Sequence, residues 1–378
     1  MLFHFPFLVQ IEIISQLDTF ERFILCLCSK KSKRLVQNVL PDFDATVIDM
    51  GKSCLKIQRN GEKSKDLILW GTYENPKDDF TRTFYWNRGI WIKFKGNIVK
   101  CRISIHPTSG LPVFWFHSDH RKIVPLALHD AICKMFKISN KLQIISDLLE
   151  FPNIEVVDNF KETGYSLPSA DQYEEFFSNV TIKNCASLVT WCSFNNRKIN
   201  AEDIGPNLIK TNHLVCCNSD WLTEDWLFKF EGKSAIFYNV VELNNESVIS
   251  LTKKWIDGKF PSLISLMIGL GSTSEDQNFF DKDKILENFE TFPWNPNERA
   301  ARFKYPSSAT QKVDKDILDC SQEVDIKRNC DGLLATVIVE PFWFQFFVWH
   351  EPFAVSIPRT CKDPFTNKTF FEYGDLEF

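Results

Sequence analysis

The chain has 378 residues and a formal net charge of −5, with 35 phenylalanines, 11 tryptophans and only 14 glycines. This length accommodates two or three domains, and the aromatic content indicates a large buried core and excludes a disordered chain. The negative net charge argues against general nucleic-acid binding, and no apolar run reaches the 18 residues of a membrane helix.

The twelve cysteines are scattered along the chain, and no export signal precedes them. The N-terminal apolar run is a poor signal peptide because it contains Glu12 and has neither a positive region nor a small-residue cleavage site. We therefore expect reduced thiols and a location in the cytosol or nucleus. Cys26-x-Cys28 and Cys216-Cys217 lack zinc-site spacing, so we predict no metal and no other cofactor.

The first forty residues predict three short helices. Pro6 suits the first turn of a helix, where its missing N–H costs nothing. Apolar residues then recur at spacings of three and four: Leu8, Val9, Ile11, Ile13, Ile14 and Leu17. They cover a wider arc of this helix than one core face requires.

The second and third helices carry recognisable start signals. Asp18 and Glu21 form an Asp-x-x-Glu variant of the capping box, and an apolar stripe of Phe20, Phe23, Ile24 and Leu27 follows it. Ser29 can cap the third helix, which is basic on its outer face. Three such helices make a very small core, and small helical units usually need a partner.

These residues resemble the F-box of the nematode-type F-box family. The resemblance rests on Phe5-Pro6-Phe7-Leu8-Val9 and on the run Leu25 to Val36 with its Cys-Ser-Lys-Lys sequence. It implies docking onto the Skp adaptor of a cullin-based ubiquitin ligase, with the rest of the chain binding the protein to be ubiquitinated. The adaptor-binding residues would be Pro6, Leu8, Val9, Ile13, Leu17, Leu25 and Cys28.

The chain departs from the family pattern in its first residues. Phe5 stands where the family usually has Leu, and Phe7-Leu8 replaces a common polar or acidic pair. The pattern of apolar residues by itself is equally compatible with a helical subdomain that packs on the C-terminal part of the same chain.

From about residue 45 to residue 117 the apolar period changes to two. Val99, Cys101, Ile103 and Ile105 alternate with polar residues, and Asn87-Arg88-Gly89 separates two aromatic runs. This segment therefore predicts an antiparallel sheet built from hairpins.

After Pro125, helical and extended segments alternate. Val180-x-Ile182-x-Asn184 and Leu214-x-Cys216-x-Asn218 repeat one pattern, but the spacing of the apolar runs is irregular. These βα units overlap the range of leucine-rich repeats, and an ordinary mixed sheet is the alternative.

The segment from Leu243 to Ile268 has agreeing signals at every step, with a cap at Asn244-Asn245, an apolar stripe that ends at Trp255, and Gly258 as a helix stop. It resembles the F-box-associated type 2 domain that accompanies nematode-type F-boxes. Further similar residues are Trp294-Asn295-Pro296 with Arg299, and Arg328 with Asp331-Gly332 and the run from Ala335 to Ile338.

Three candidate sites, for a metal, a thiol nucleophile and a nucleotide, lack the residue spacing or the environment that each would need. His117, Asp119, His120 and His129 could supply metal ligands, yet they lack a metalloprotease helix motif. Cys216-Cys217 with His213 would be a thiol nucleophile and its base, but the surrounding residues predict a buried strand. Gly269-Leu270-Gly271-Ser272 lacks the Walker lysine. We predict no catalytic residue.

The sequence thus predicts an α+β protein with four parts: an F-box over 1–45, a β-rich segment over 46–120, an F-box-associated βα domain over 121–358 and a tail over 359–378. The predicted function is a substrate-recognition adaptor of a Skp/cullin/F-box ubiquitin ligase, with no nucleic acid or membrane partner and an unknown protein substrate. The alternatives are a scaffold that no longer engages a ligase, an enzyme whose site has no known motif, and a sugar-binding module.

Overall fold

A computed structural model describes residues 2–39, 41–58, 64–74, 89–94, 97–164, 168–189, 206–271, 279–304 and 317–353. The chain divides into two compact units, one over Met1–Ile154 and one that begins at Glu155. The predicted tail over 359–378 lies outside the described residues, and the four-part division remains a prediction. None of the described helices combines the length and apolar character of a bilayer-spanning helix.

The first unit begins with helices and continues into a sheet. Its helices are α1 (Phe7–Ser15), α2 (Thr19–Cys28), α3 (Lys30–Val36) and α4 (Val124–Phe136). Its strands are β1 (Ala45–Asp49), β2 (Cys54–Gln58), β3 (Lys65–Tyr73), β4 (Gly89–Phe94), β5 (Asn97–Ile105), β6 (Pro112–His117) and β7 (Gln143–Ser146).

The sheet of the first unit has the strand order β7-β1-β2-β3-β6-β5-β4. Neighbours β1–β2, β2–β3, β6–β5 and β5–β4 are antiparallel, as the alternating pattern predicts. Two pairs are parallel: β3 with β6, and β1 with β7. The prediction of an antiparallel segment is therefore wrong at β3, because β6 lies between β3 and β5 and runs in the same direction as β3.

The N-terminal helices pack on the rest of the first unit. Phe23 of α2 lies 6.3 Å from Phe114 of β6 between ring centroids, and the Gln37 amide donates to the Lys134 carbonyl of α4 at 3.1 Å. Helix α4 covers β1, where His129 and Thr46 share a buried hydrogen bond of 2.6 Å. The helices thus find in this unit the partner that their small core needs.

The second unit contains the βα alternation. Its helices are α5 (Ala170–Asn179), α6 (Pro206–Ile209), α7 (Glu224–Lys229), α8 (Asn245–Ile256) and α9 (Lys282–Leu286). Its strands are β8 (Val156–Glu162), β9 (Thr181–Leu188), β10 (His213–Cys216), β11 (Ser234–Val240), β12 (Ser265–Leu270), β13 (Phe292–Pro293), β14 (Arg302–Lys304), β15 (Ile317–Asp319), β16 (Val324–Lys327), β17 (Leu334–Glu340) and β18 (Trp343–Val348).

Strands β8 to β12 are parallel neighbours in chain order, and β18, β17, β16 and β13 extend the sheet with antiparallel pairs. Both faces of the sheet are covered. On one face Trp255 of α8 packs on Phe346, and on the other Phe303 of β14 packs on Phe347, with ring centroids 5.1 and 4.9 Å apart. Successive strand residues point to opposite faces, so the β14–β15 hairpin and α8 lie on opposite sides of β18.

The predicted signals of α8 are confirmed. Asn244 accepts the backbone N–H of Ser247, and the stripe that ends at Trp255 is buried. Gly258 follows with a φ of +91°, a conformation that L side chains rarely adopt. This helix therefore begins and ends where its sequence dictates.

A buried ion pair connects the residues around β14 to the sheet. Arg299 is fully buried and pairs with Asp325 of β16 at 2.7 Å. Asp325 also accepts a hydrogen bond from Thr336 of β17, which in turn accepts one from the Trp349 indole, both at 2.7 Å. The Arg299 guanidinium donates to the Cys320 carbonyl at 3.0 Å. Each charge of the pair thus has hydrogen-bond partners, as burial requires.

Candidate functional site

An exposed apolar surface lies on α1 and the residues before it. We name it the docking face and define it as Phe5, Phe7, Leu8, Val9 and Ile13. Leu8 is 79% exposed, and the other four are between 38% and 55% exposed. Isolated exposed apolar residues are common, but five in nine consecutive positions are a local concentration of apolar surface, and such surface marks interaction sites.

The helix carries this patch because its inward face is very narrow. Ile14 of α1 is fully buried, while residues on both sides of it are exposed or half-buried. Pro6 is the N-cap, and the Gln10 side chain donates to the Phe5 carbonyl at 2.6 Å, which fixes the entry into the first turn. The arc of apolar residues that exceeds one core face therefore remains on the surface.

Helix α2 holds α1 in place through Arg22. Its guanidinium donates to the Ile14 carbonyl at 3.1 Å and to the Ser15 carbonyl at 2.7 Å, at the C-terminal end of α1. The cation also lies at the negative end of that helix dipole. The predicted capping box of α2 is confirmed, with reciprocal bonds between Asp18 and Glu21. The orientation of α1 is thus fixed by charge-assisted bonds.

Sequence reasoning did not single out Arg22. The signal was its position: Thr19, Arg22, Phe23 and Cys26 are the buried residues of α2, at the spacing of one helix face. A charged residue on an otherwise buried stripe indicates a buried hydrogen-bonding role.

The seven predicted adaptor-binding residues differ in exposure. Pro6, Leu8, Val9, Ile13 and Cys28 are exposed, whereas Leu17 and Leu25 are half-buried. Leu8, Val9 and Ile13 share one side of α1, while Leu25 and Cys28 lie in the last turn of α2. The sequence-based list omitted Phe5, Phe7 and Leu27, which are also exposed apolar residues.

The histidines considered as metal ligands have other contacts. His117 pairs with Asp119 at 3.1 Å and contacts the Glu74 carbonyl at 2.9 Å, whereas His129 is buried against Thr46. Within the described ranges, no group of three or more His, Cys, Asp or Glu residues could hold a metal ion.

The candidate thiol nucleophile lies in a setting that keeps it protonated. Burial raises the pKa of Cys217 to about 11 and that of Cys216 well above its usual value. Burial also lowers the pKa of His213 to about 4, with Lys233 adding to the shift. A thiolate is the reactive form of cysteine, so this strand has the character of a protein core.

Comparison with protein families matches residues 2–44 to the F-box domain. Residues 2–44 therefore form an F-box domain, and they contain the whole docking face and all seven predicted adaptor-binding residues. F-box domains in general bind Skp-type adaptors and, through them, cullin complexes. Searches of curated proteins and of solved structures found no match to the chain.

Proposed function

We propose that this chain is the substrate-recognition adaptor of a Skp/cullin/F-box ubiquitin ligase, acting in the cytosol or nucleus. The docking face of the F-box binds the Skp-type adaptor, and the remainder of the chain binds a target protein. The observation that carries the proposal is the row of exposed apolar side chains on α1 within a matched F-box domain.

The proposed mechanism is positional and requires no catalytic residue in this chain. An adaptor that binds a target at one site and a ligase at another raises the effective concentration of target lysines near the charged conjugating enzyme. Selectivity then follows from which target binds.

We further propose that residues 121–358, most of which belong to the second unit, form an F-box-associated type 2 domain of the nematode type. Support comes from the residues that carry the resemblance, because several of them occupy buried contacts. Arg299 forms the buried ion pair with Asp325, and the Arg328 guanidinium lies 5.4 Å from the ring centroid of Trp255. The likeness of the βα units to leucine-rich repeats belongs to the same proposal. Asn184 of the repeated pattern donates to the Asn159 side chain at 2.8 Å.

The test is co-expression of the full chain with a Skp-type adaptor, comparing wild type with the double variant Val9→Asp and Ile13→Asp. Truncation of a central contact costs on the order of 1–3 kcal/mol of binding, and a buried unpaired charge costs more. We therefore expect the adaptor to co-elute with wild type and not with the double variant.

A matched control is available in the same unit. Ile98 and Ile105 of β5 are 61% and 43% exposed, so Ile98→Asp with Ile105→Asp introduces the same charges at similar exposure outside the F-box. Adaptor binding should survive in this control. Equal co-elution of all three proteins would contradict the proposal.

The scaffold alternative predicts a different behaviour of the isolated chain. A docking face without its partner leaves apolar surface in water, so the chain alone should aggregate if the face is a docking site in use. A chain that is soluble alone and never co-elutes with the adaptor would favour a scaffold that does not engage a ligase.

A further inference from the structure

Exposed lysines follow the edge of the second unit at which the parallel strands β9 to β12 begin. Lys183 lies near the start of β9, and Lys210, Lys233 and Lys259 precede β10, β11 and β12, all four with exposed side chains. Hydrogen bonds join three of these segments: the Lys233 backbone N–H donates to the Asn212 carbonyl, and the Asn212 side chain donates to the Lys183 carbonyl. Because β9 to β12 are parallel neighbours, their starts meet at one edge, and we name the four lysines along this edge the lysine row.

Among the described residues, the lysine row carries an excess of positive charge. Across the described parts of the chain, none of its four members forms an ion pair. The loops before β10, β11 and β12 contain only Glu231 and Asp257 as acidic residues. In a chain of net charge −5, this is a local concentration of positive charge.

A cleft of about 330 Å³ opens between the loops before β11 and β12. Its apolar lining consists of Phe228, Phe230, Phe260 and Pro261, and its charged lining of Lys229, Glu231 and Lys259. The cleft thus combines aromatic walls with Lys259, a member of the lysine row. This composition suits an apolar side chain that is flanked by charged residues.

The walls of the cleft are held in place before any ligand binds. A Cβ on Gly232 would lie 2.2 Å from both the Phe230 ring and the Thr211 carbonyl, so this loop requires glycine. The Lys254 ammonium lies 3.0 Å from the centroid of the Phe228 ring. Phe260 has a φ of +57°, a strained conformation for an aromatic residue that the surrounding loop imposes.

We propose that this edge binds an acidic, extended segment of the target protein, with an apolar side chain of that segment in the cleft. Neighbouring strands are about 4.8 Å apart, so the starts of the four strands β9 to β12 span about 14 Å. An extended peptide rises about 3.3 Å per residue, so four or five residues cover this span. This inference rests on the proposed function, because it takes the bound segment to be part of a recruited target protein.

The composition favours a protein ligand over a nucleic acid. The cleft lining contains no arginine, and four lysines are too few to follow the backbone of a long polyanion. A short acidic peptide with one apolar residue matches both the aromatic walls and the limited length of the lysine row.

The test is binding of a fluorescein-labelled peptide, Asp-Glu-Asp-Phe-Asp-Glu-Asp, to the soluble fraction of the full chain, measured by fluorescence anisotropy with and without the Skp-type adaptor. We expect saturable binding that weakens with salt, and about tenfold weaker binding by the variant Lys233→Glu with Lys259→Glu. A peptide with Asn and Gln in place of the acidic residues should not bind, and neither should one with Ser in place of Phe.

The control variant is Lys52→Glu with Lys141→Glu, which reverses two exposed lysines of the first unit that have no ion pair within the described residues. Its peptide affinity should equal that of wild type. The inference is overturned by a lack of saturable peptide binding to folded wild type, by equal losses in both double variants, or by equal binding of a uridine oligonucleotide that competes with the peptide.

Adaptor co-elution of the same variants separates the two proposals. Lys233→Glu with Lys259→Glu should lose the peptide and keep the adaptor, and Val9→Asp with Ile13→Asp should do the reverse. Peptide binding without adaptor binding would refute the ligase function alone, whereas adaptor binding without peptide binding would refute this inference alone.

Discussion

A buried ion pair in the second unit affects the stability of the fold. Arg299 and Asp325 are both almost fully buried, and their 2.7 Å pair is completed by hydrogen bonds from Thr336 and to the Cys320 carbonyl. Such a pair adds little net stability over an apolar replacement, but removal of one partner leaves an uncompensated charge in the core. Arg299, one of the residues that resemble an F-box-associated type 2 domain, thus has a structural role in the core.

We predict that Asp325→Ala lowers the free energy of unfolding by about 3–5 kcal/mol, because it strands the Arg299 guanidinium in the core. The control is Glu298→Ala, which removes the partner of Lys327 from an ion pair whose two side chains are both 41% exposed. Denaturant unfolding should show a much smaller loss for the control, and equal losses would contradict the argument.

His213 makes the stability of the second unit depend on pH. In the folded chain burial lowers its pKa from 6.5 to about 4, and its Nδ1 atom is buried without a hydrogen-bond partner among the described residues. Below about pH 6.5 the unfolded chain binds a proton on this imidazole while the folded chain does not. Stability is therefore lost as the pH falls from 6.5 towards 4 and is unaffected by this group above that window.

Between pH 7 and pH 4.5, we predict that the free energy of unfolding falls by about 2–3 kcal/mol less in His213→Leu than in wild type. Each pKa unit corresponds to about 1.36 kcal/mol. Urea unfolding at pH 7 and pH 4.5 measures the difference for each protein, so a general change in stability cancels. The exposed His350, replaced by Gln, provides the control in the same unit. An unchanged pH dependence in His213→Leu would disprove the assignment.

At the scale of single elements, α1 is the helix in which local sequence and tertiary role diverge. Its one fully buried residue, Ile14, is surrounded by apolar residues that the fold leaves in water. A helix with a single core contact owes its position to its neighbours, here to Arg22 of α2. The exposed apolar arc suits a helix that packs on its neighbouring helices with one face and binds a second protein with the other.

The packing of the helices also bears on how the F-box is tested. Phe23 contacts Phe114, and Gln37 contacts α4, so deletion of residues 1–45 would uncover apolar surface of the first unit. A truncated chain that fails to bind the adaptor would therefore be ambiguous. Point variants on the docking face avoid this problem because their side chains are exposed.

At the scale of the whole molecule, the thiols divide into two classes. Burial raises the pKa of Cys26 and Cys133 to about 11 and of Cys101 and Cys320 to about 12, so these thiols remain protonated at neutral pH. Among the cysteines that the structure describes, Cys28 in the first unit and Cys330 in the second are exposed.

We predict that N-ethylmaleimide modifies Cys28 and Cys330 faster than the other described cysteines, as read by peptide mass spectrometry. Binding of the Skp-type adaptor should slow the modification of Cys28, because this residue belongs to the predicted adaptor-binding set. Cys330 serves as the internal reference, since it lies in the other unit and should keep its rate. Protection of neither thiol, or of both, would contradict the assigned location of the adaptor.

Local signals in the sequence determined the helices and their ends. The capping box of Asp18 and Glu21, the cap at Ser29 and the course of α8 from Asn244 to Gly258 all follow from short-range chemistry. Leu8, Val9 and Ile13 of the docking face were also named from the sequence as adaptor-binding residues, because the apolar arc on α1 is wider than a core face, whereas Phe5 and Phe7 were not.

Tertiary structure alone decided which of those apolar residues remain in water and which strands become neighbours. Leu27 follows the same helical period as Phe23, yet it is 40% exposed because α2 reaches its end there. Residues far apart in the chain come together where β3 pairs in parallel with β6 and where four lysines lie along one edge. Periodicity reports the faces of one element, and only packing between elements determines what each face contacts.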